Sequence, residues 1–501
     1  MRHIRGDYHK VKGAFNRYAS LCVGAGRAGE VLRHAFLKHL EEGVRDCGFS
    51  YLRFHGIFHE DMGVYGEDEK GRPRYSWQYV DMVYDALLER GIKPFVELSF
   101  MPCALASGDK TVFWWKANVT PPKDYDKWGS LIFAFVKHLE ERYGREEVAS
   151  WYFEVWNEPN HPAFFGGTRQ DYFRLYEVTA RAVKAVCPGY RVGGPATAAG
   201  DAWISEFIAF CHDNRVPSDF VSTHIYGVEG AFDEFGDSVL YLSKNRKLIP
   251  DQVREVCAKV KASPMPDLEI HYTEWSSSYS SRDPVHDHYS QAAYILRHLK
   301  GLEGLVASMS YWTLSDIFEE VGPPQTPFHG GFGLINAQGL KKSSHYAYAF
   351  LNRLGDTELF QEDKNAWLCK KPGGIQALFW NDSPVCQDEP NHLFFKKDRK
   401  AEKAEEVEIT LSGLPEGDYA LEIRRIGYDR NDVYTGYLKL GAPASPSREQ
   451  IQLLSRENDG MPEIKERIRV GENGLFQYRL ELNENDVVLL TLELIGGNET
   501  C

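Results

Sequence analysis

Short apolar segments alternate with amphipathic ones from about residue 15 to residue 355, and this pattern constrains the fold more than any other feature of the chain. Each apolar segment has the length of a strand, and several segments between them carry apolar residues at the three- and four-residue spacing of a helix. Eight parallel strands with a helix after each predict an α/β fold, a (β/α)8 TIM barrel, over residues 15–355. The strands are predicted at residues 19–24, 51–56, 93–100, 151–157, 191–195, 220–226, 268–275 and 308–315, and the helices include 30–47, 77–90, 128–142, 171–187, 202–213 and 288–301.

The pattern changes after about residue 355 to short alternating runs separated by turn-forming residues. These runs predict an antiparallel β-sandwich at residues 356–501, which residues 1–14 are free to join. The charged segment 400–406 and the Pro/Ser-rich segment 441–450 are predicted to be loops. The predicted strand segments are GIQALFW (374–380), NHLFFKK (391–397), EEVEITLSGL (405–414), DYALEIRRIG (418–427) and DVVLLTLELIG (486–496).

The charge and cysteine content exclude several classes of protein. The 501 residues include 58 basic and 72 acidic ones, for a net charge of −14, and no basic stripe occurs, so binding to nucleic acid or to an anionic membrane is not expected. Nine widely spaced cysteines without a CxxC pair predict reduced thiols rather than a disulfide framework or a zinc site. No signal peptide or membrane-spanning run is recognisable, and we expect a cytoplasmic protein.

A glycine motif, Gly24-Ala-Gly26-Arg-Ala-Gly29, follows the first predicted strand and has the G-x-G-x-x-G form of a dinucleotide-binding turn. Such a site also needs an acidic residue near the end of the second strand to bind the ribose, but that strand reads YLRFHG. We therefore favour glycines that permit a tight turn between a strand and a helix.

Two glutamates stand at the ends of predicted strands four and seven. Glu158 lies in FEVWNEPN beside Trp156 and Pro159, where burial against apolar surface would raise its pKa and suit a general acid. Glu274, in EIHYTEW, is the candidate nucleophile. The carboxyl ends of all barrel strands meet at one face, so the two carboxylates can oppose each other across a glycoside. A separation of about 5–5.5 Å would give retention and about 6.5–9.5 Å inversion, and the sequence leaves that choice open.

Several segments together resemble glycoside hydrolase family 39, which holds β-xylosidases and α-L-iduronidases within a clan of retaining barrel enzymes. The similar segments are CVGAGR (22–27), FHG (54–56), EVWNEPN (154–160), STHIYG (222–227), TEWSSSYSSRDPVHD (273–287), and YWTLSDIFEE with PFHGGFGLI (311–335). The resemblance implies that the barrel is the catalytic domain, that Glu158 is the acid/base and that Glu274 is the nucleophile. It also implies that the glycine motif is an ordinary first strand and turn.

The resemblance further implies a sugar pocket in which an aromatic floor packs on the sugar ring while polar side chains bind its hydroxyls. The implied substrate-binding residues are His55, Asn157, His224, Tyr226, Tyr279, Trp312, Glu319 and Glu320. Arg53, which lies beside them in sequence, is a candidate for supporting these residues from behind, since the direction of its side chain is unknown. No metal-ligand spacing such as HExxH occurs, and we expect neither a metal nor a cofactor.

The loop that carries Glu319 and Glu320 has no Arg or Lys before Lys341. A uronic acid next to these carboxylates would suffer repulsion on the order of a few kcal/mol, whereas a neutral pentose would donate its hydroxyl protons. We therefore expect release of β-D-xylose from the non-reducing end of xylo-oligosaccharides, with arabinosides, galactosides and iduronides as alternatives. A non-catalytic carbohydrate-binding barrel would not need both Glu158 and Glu274. Some relatives are tetramers, so the resemblance is also consistent with a homo-oligomer, a dimer or a tetramer.

Overall fold

The computed structural model describes residues 1–496, and its centre is a closed barrel of eight parallel strands in which each strand pairs with its neighbours in chain order. This confirms the predicted TIM barrel. The strands are numbered one to eight here, and their bounds are Cys22–Arg27, Tyr51–His55, Lys93–Leu98, Tyr152–Val155, Arg191–Thr197, Phe220–Tyr226, Glu269–Ser276 and Ser308–Tyr311.

Helices surround the barrel, and their termini are fixed by local chemistry. Asp124 accepts hydrogen bonds from two backbone N–H groups at the start of the helix Tyr125–Tyr143. Thr168 and Asp171 form a capping box at the start of the helix Arg169–Val186. Gly48, with φ of 71°, ends the second helix in the left-handed conformation. The helices are Ala28–Val31, His34–Cys47, Gln78–Leu88, Tyr125–Tyr143, Arg145–Ala149, Arg169–Val186, Ile204–Asp213, Leu248–Lys261, Gln291–Gly301 and Ser343–Asn352.

Two further sheets form an accessory domain whose core lies between them. Both sheets include a strand from the first 14 residues, and one of these, Arg2–Asp7, runs parallel to its partner Lys403–Ser412, while the other pairs are antiparallel. The seven-stranded sheet contains Val11–Ala14, Thr357–Leu359, Ala366–Lys371, Gly374–Trp380, Val487–Leu494, Gly417–Ile426 and Ile464–Val470, and the three-stranded sheet contains Arg2–Asp7, Lys403–Ser412 and Phe476–Asn483.

Three predictions for the accessory domain were wrong in part. The segment 391–397 is not a strand, because Pro390 starts a single helical turn, Asn391–Phe394, whose first residue bonds to barrel loops. The segment 400–406 is not all loop, because the strand Lys403–Ser412 begins there and pairs with Phe476–Asn483. The segment 441–450 gives way to the helix Arg448–Glu457, which Ser447 caps.

The remaining short elements connect or extend the barrel loops. A hairpin of Val228–Phe232 and Ser238–Leu242 follows strand six, and the backbone N–H of Leu242 donates to Asn391 Oδ1 at 2.9 Å. The other hairpins pair Tyr65–Glu67 with Pro73–Tyr75 and Thr111–Val112 with Ala117–Asn118. The helix Val433–Lys439 follows the accessory-domain strand Gly417–Ile426. Within residues 1–496, no helix combines the length and the apolar character that crossing a membrane requires.

Two layers of inward-facing side chains fill the barrel. The lower layer, near the amino ends of the strands, packs Phe95, Tyr152 and Phe220 with ring centroids 4.8–5.7 Å apart. Side chains two residues further along a strand point to the same face, so the next layer up contains Glu97 and Glu154. The upper layer is therefore charged, and it lies directly beneath the carboxyl ends of the strands.

Candidate active site

The predicted carboxylates, Glu158 and Glu274, meet at the carboxyl end of the barrel. Glu158 follows strand four in the left-handed conformation, with φ of 45°, and Glu274 lies within strand seven. One carboxylate oxygen from each residue and one ring nitrogen of His224 lie within 4.8 Å of one another. Their oxygens are therefore closer than the about 6.5–9.5 Å of an inverting pair, which agrees with the about 5–5.5 Å of a retaining pair.

Arg53 holds the upper layer together from strand two. Its guanidinium is fully buried and lies 2.6 Å from Glu154, 2.7 Å from Glu97 and 2.8 Å from Glu274. It also donates to Asn157 Oδ1 at 2.9 Å. Glu97 and Glu154 are directly opposite each other on adjacent strands, so the cation between them offsets a like-charge contact. Arg53, predicted only as a candidate for a supporting residue, is the central cation of the site.

Glu274 is surrounded by hydrogen-bond donors. Arg53 Nη1 donates to one carboxylate oxygen at 2.8 Å, and the hydroxyl of Tyr226 donates to the other at 2.6 Å. Burial raises the pKa of Glu274, while His224 and Arg53 act in the opposite direction. Two donors on two oxygens stabilise the ionised form, which a nucleophile requires.

Glu158 has a different environment. Burial raises its pKa to about 7, against the opposing effects of His161, His55 and Arg53. One oxygen lies 2.8 Å from His224 Nδ1, and burial lowers the pKa of that imidazole to about 4. A carboxyl group with a pKa near neutrality is suited to general acid catalysis. The two glutamates thus have environments suited to different tasks.

A cavity of about 560 Å³ opens above the two carboxylates. The ring of Trp312 packs 4.8 Å from His55, and the phenol of Tyr279, which is 57% exposed, lies at the rim 6.4 Å from the ring of Tyr226. Gly24 makes room for Trp312, because a Cβ atom there would collide with the indole. Of the predicted pocket residues, those that line the cavity are His55, Asn157, Tyr226, Tyr279, Trp312 and Glu320.

Two predicted pocket residues lie outside this lining. His224 is fully buried behind Glu158. Glu319 faces away from the cavity, because Arg33 binds both of its oxygens at 2.7 and 2.9 Å and Arg27 binds one at 3.0 Å. Glu319 therefore belongs to a salt-bridge network and does not line the cavity.

The expectation that no cation lies near Glu319 and Glu320 was wrong. Arg27, the last residue of strand one, and Arg33, which follows it closely in sequence, both bind Glu319. His55 Nε2 lies 3.6 Å from Glu320 Oε1. Burial lowers the pKa of His55, but the attraction of Glu97 and Glu320 outweighs it and gives a value of about 10, so the imidazole is charged. Residues distant in sequence supply the missing cations.

The cavity also contains residues that the sequence did not single out. Phe332 and Phe164 contribute apolar wall, and His161, Glu229 and Gln252 contribute polar groups. Phe332 lies in PFHGGFGLI, a segment whose similarity to the family was the available signal. The hairpin that carries Glu229 gave no comparable signal.

Among residues 1–496, only Glu158, His224 and Glu274 form a group of carboxylates and imidazoles close enough to hold a metal ion. Both ring nitrogens of His224 are already within hydrogen-bonding distance of protein groups, at 2.8 Å from Glu158 and 3.2 Å from Thr273. A metal would have to displace these contacts, so the group is better suited to proton transfer.

A TIM barrel with two opposed carboxylates beneath an open cavity defines a glycoside hydrolase. The chain belongs to glycosyl hydrolases family 39, whose family model matches residues 3–473. It is 40% identical over 491 residues to a β-xylosidase of Geobacillus stearothermophilus, covering 96% of this chain and 94% of the relative. A β-xylosidase of Caldicellulosiruptor saccharolyticus is 38% identical over 497 residues, covering 97% of each chain. The crystal structure of a monomeric β-xylosidase from Caulobacter crescentus matches with a TM-score of 0.96 at 42% identity, covering 99% of this chain and 100% of that one. The predicted family and fold are confirmed.

Proposed function

We propose that this glycoside hydrolase is a retaining β-xylosidase that releases β-D-xylose from the non-reducing end of xylo-oligosaccharides. The close approach of Glu158 and Glu274 beneath one cavity carries the retaining chemistry. The choice of xylose is supported by the two β-xylosidases that are 38–40% identical over nearly the whole chain.

In the first step, Glu274 attacks the anomeric carbon while Glu158 gives its proton to the departing glycosidic oxygen, so a glycosyl ester forms as the glycosidic bond breaks. In the second step, the Glu158 carboxylate takes a proton from water, the water oxygen attacks the anomeric carbon, and the ester bond to Glu274 breaks. Two displacements at one carbon retain its configuration. We assign direct contact with the sugar to the cavity residues His55, Asn157, Tyr226, Tyr279, Trp312 and Glu320.

The charged imidazole of His55 lies beside Glu320, the proposed acceptor for a neutral sugar. One cation next to Glu320 leaves that carboxylate free to accept a hydroxyl proton, because the charged imidazole is shared with Glu97 at 2.7 Å. Glu320 is partly exposed, as an acceptor for substrate must be. Arabinosides, galactosides and iduronides are the alternatives against which the proposal is tested.

We place the reaction in the cytoplasm, where oligosaccharides taken up by the cell would be trimmed. The eight cysteines within residues 1–496 are all unpaired, as expected in a reducing compartment. A homo-oligomer stays a prediction from the family resemblance, and the Caulobacter crescentus relative is described as monomeric.

A panel of 4-nitrophenyl glycosides with one common leaving group tests the sugar. We expect the highest kcat/KM on the β-D-xyloside, and proton NMR of the first product formed from it should show the β anomer. A higher kcat/KM on the iduronide, arabinoside or galactoside would replace the sugar assignment, and an α anomer as the first product would contradict retention.

A further inference from the structure

Three buried hydrogen bonds connect Glu158 to a second carboxylate in the barrel interior. His224 Nδ1 lies 2.8 Å from Glu158 Oε1, and His224 Nε2 lies 3.2 Å from the hydroxyl of Thr273. That hydroxyl donates to Glu154 Oε1 at 2.8 Å. The side chains of His224 and Glu154 are fully buried, and Thr273 is buried between them. A chain of hydrogen bonds of this kind has a direction, because each hydroxyl and each neutral imidazole has one proton to donate.

The direction in which these hydrogen bonds donate is set by Glu154, at the end away from Glu158. Glu154 accepts a charge-assisted bond from Arg53 Nε at 2.6 Å, so it is a carboxylate with no proton to give. Thr273 therefore donates its proton to Glu154 and accepts one from His224 Nε2. A neutral imidazole with its proton on Nε2 has a lone pair on Nδ1, and that lone pair needs a donor. The group nearest to Nδ1 is the Glu158 carboxyl at 2.8 Å. Glu274 Oε2 lies farther away, at 3.5 Å, and already accepts the hydroxyl proton of Tyr226.

We propose that Glu154 and Thr273 are positioning residues that fix the tautomer of His224, so that Glu158 keeps its proton until the departing glycosidic oxygen takes it. The proposal rests on the acid role given to Glu158 above. Neither residue touches the cavity, and both act through His224. The arrangement parallels other histidines whose tautomer is set by a hydrogen bond to the second ring nitrogen.

The groups around Glu158 act on its pKa in both directions, and burial is the largest effect. His55, His161 and Arg53 favour its ionised form, whereas Glu97 and burial favour the protonated form. The charge of Glu158 in turn raises the pKa of the neighbouring carboxyl groups of Glu274 and Glu320. His224 is neutral at neutral pH, because burial lowers its pKa to about 4. Glu274, by contrast, receives two donors, and the two glutamates differ in what their partners offer.

Thr273→Val tests the chain by removing the acceptor for Nε2–H. The favoured tautomer then has its proton on Nδ1, where it donates to the Glu158 carboxylate and stabilises the ionised form. We expect the basic limb of the pH profile of kcat/KM on xylobiose to move to lower pH by about one unit. Thr273→Ser keeps the hydroxyl and should keep the wild-type limb.

Glu154→Gln tests the same chain from the other end, and it serves alone if Thr273→Val does not fold. Its amide oxygen stays with Arg53 Nε, so the amide NH₂ faces Thr273 and reverses every donor in the chain. We again expect the basic limb to move to lower pH. Thr179→Val is the matched control, because this fully buried hydroxyl bonds to Trp128 at 2.8 Å on an outer helix, so the variant should lower stability without moving the limb.

The outcomes distinguish the acid role of Glu158 from the relay, which is the hydrogen-bonded series Glu158–His224–Thr273–Glu154. The basic limb should disappear in Glu158→Ala, and its persistence at the wild-type pH would overturn both the acid role and the relay. If the limb disappears in Glu158→Ala but stays in place in Thr273→Val and Glu154→Gln, the relay alone is overturned. If the preferred sugar is not xylose, the same profiles are measured on the preferred glycoside with a poor leaving group.

Discussion

The two layers of side chains inside the barrel come from the same strands and face the same way, yet their chemistry is opposite. Phe95 and Tyr152 lie in the lower layer, and Glu97 and Glu154 lie two residues further along the same strands. The lower layer consists of rings packed against one another, and the upper layer consists of carboxylates gathered around Arg53. One barrel interior thus holds both an apolar core and an ionic site.

The two layers contribute differently to the free energy of folding. Burying aromatic rings contributes free energy of folding directly. Burying carboxylates costs solvation free energy, which the buried guanidinium only offsets, so the upper layer adds little net stability. Its groups are instead desolvated and held in fixed orientations beneath the proposed catalytic pair. Changes in the upper layer should therefore alter activity, and changes in the lower layer should alter stability.

Among changes at the upper layer, removal of the Glu274 side chain should cause the largest loss of activity. Glu274→Ala removes the proposed nucleophile and with it the covalent route, so we expect a loss of many thousandfold. The melting temperature should be retained, because Arg53 keeps Glu97 and Glu154 as partners. Turnover of a nitrophenyl xyloside and a thermal melt measure both quantities. A 2-fluoro-xyloside should label Glu274 in the wild type, and peptide mapping of the label to another carboxylate would contradict the assignment.

The second largest effect is expected from Glu158→Ala, and it depends on the leaving group. Glycosylation of the enzyme should slow by a factor of about 10²–10⁴ on xylobiose, whose leaving group needs a proton, and much less on an activated nitrophenol. Azide should restore turnover, because it attacks the intermediate without a base. Glu229→Ala, which alters another carboxylate of the same cavity, should show no azide rescue. Equal losses on both substrates without rescue would exclude Glu158 as the acid/base.

The lower layer is tested by Phe220→Ala. Phe220 is fully buried and packs its ring 5.6–5.7 Å from those of Phe95 and Tyr152, so its truncation should lower the free energy of unfolding by about 3–5 kcal/mol. Urea unfolding measures this loss, and kcat and KM of the folded variant should stay near wild type. Phe360→Ala, at an exposed phenylalanine of the accessory domain, should change stability by less than about 0.5 kcal/mol. A large change in KM for Phe220→Ala would show that the layers are not independent.

The smallest effect is the pH dependence of the wild type, which distinguishes the protonation states required of the two glutamates. Burial raises the pKa of Glu158 to about 7, and the acid must be protonated, so kcat/KM on xylobiose should fall about tenfold per pH unit above 7. Burial also raises the pKa of Glu274, which must be ionised, so activity should decline again on the acid side, with a limb above the ordinary glutamate value of 4.5. A profile that stays flat from pH 6 to 9 on xylobiose would contradict the acid role.

The barrel was predictable because its strands are short segments rich in apolar residues, and a strand forms at each of the eight predicted positions. Their ends were less predictable. Strand four stops at Val155 and not at residue 157, because Trp156 takes a left-handed conformation with φ of 73°. The helix Ser343–Asn352, which a helix after every strand implies, was not located in the sequence, since nearly all of its residues are buried and it has no polar face to produce a helical period.

The opposed glutamates were predictable because parallel strands deliver their carboxyl ends to one face. The contacts of Glu319 were not, because its partners Arg27 and Arg33 are nearly 300 residues away along the chain. The charged upper layer did leave a sequence signal. A glutamate two positions after an aromatic residue in an apolar strand occurs as Phe95-Val-Glu97 and Tyr152-Phe-Glu154. Such a residue has to face the barrel interior, where only a buried cation can offset its charge.

The pairing of the strand Arg2–Asp7 with Lys403–Ser412 has a consequence for synthesis of the chain. Gly6 and Ser412 are 406 residues apart and share a hydrogen bond. At about 5–20 residues per second, the ribosome needs about 20–80 s to supply the partner strand. During that time the whole barrel is made while the first strand has an unpaired edge. Its sequence, RHIRGD, has two arginines and an aspartate, and charges of this kind discourage pairing with the edge of another nascent chain.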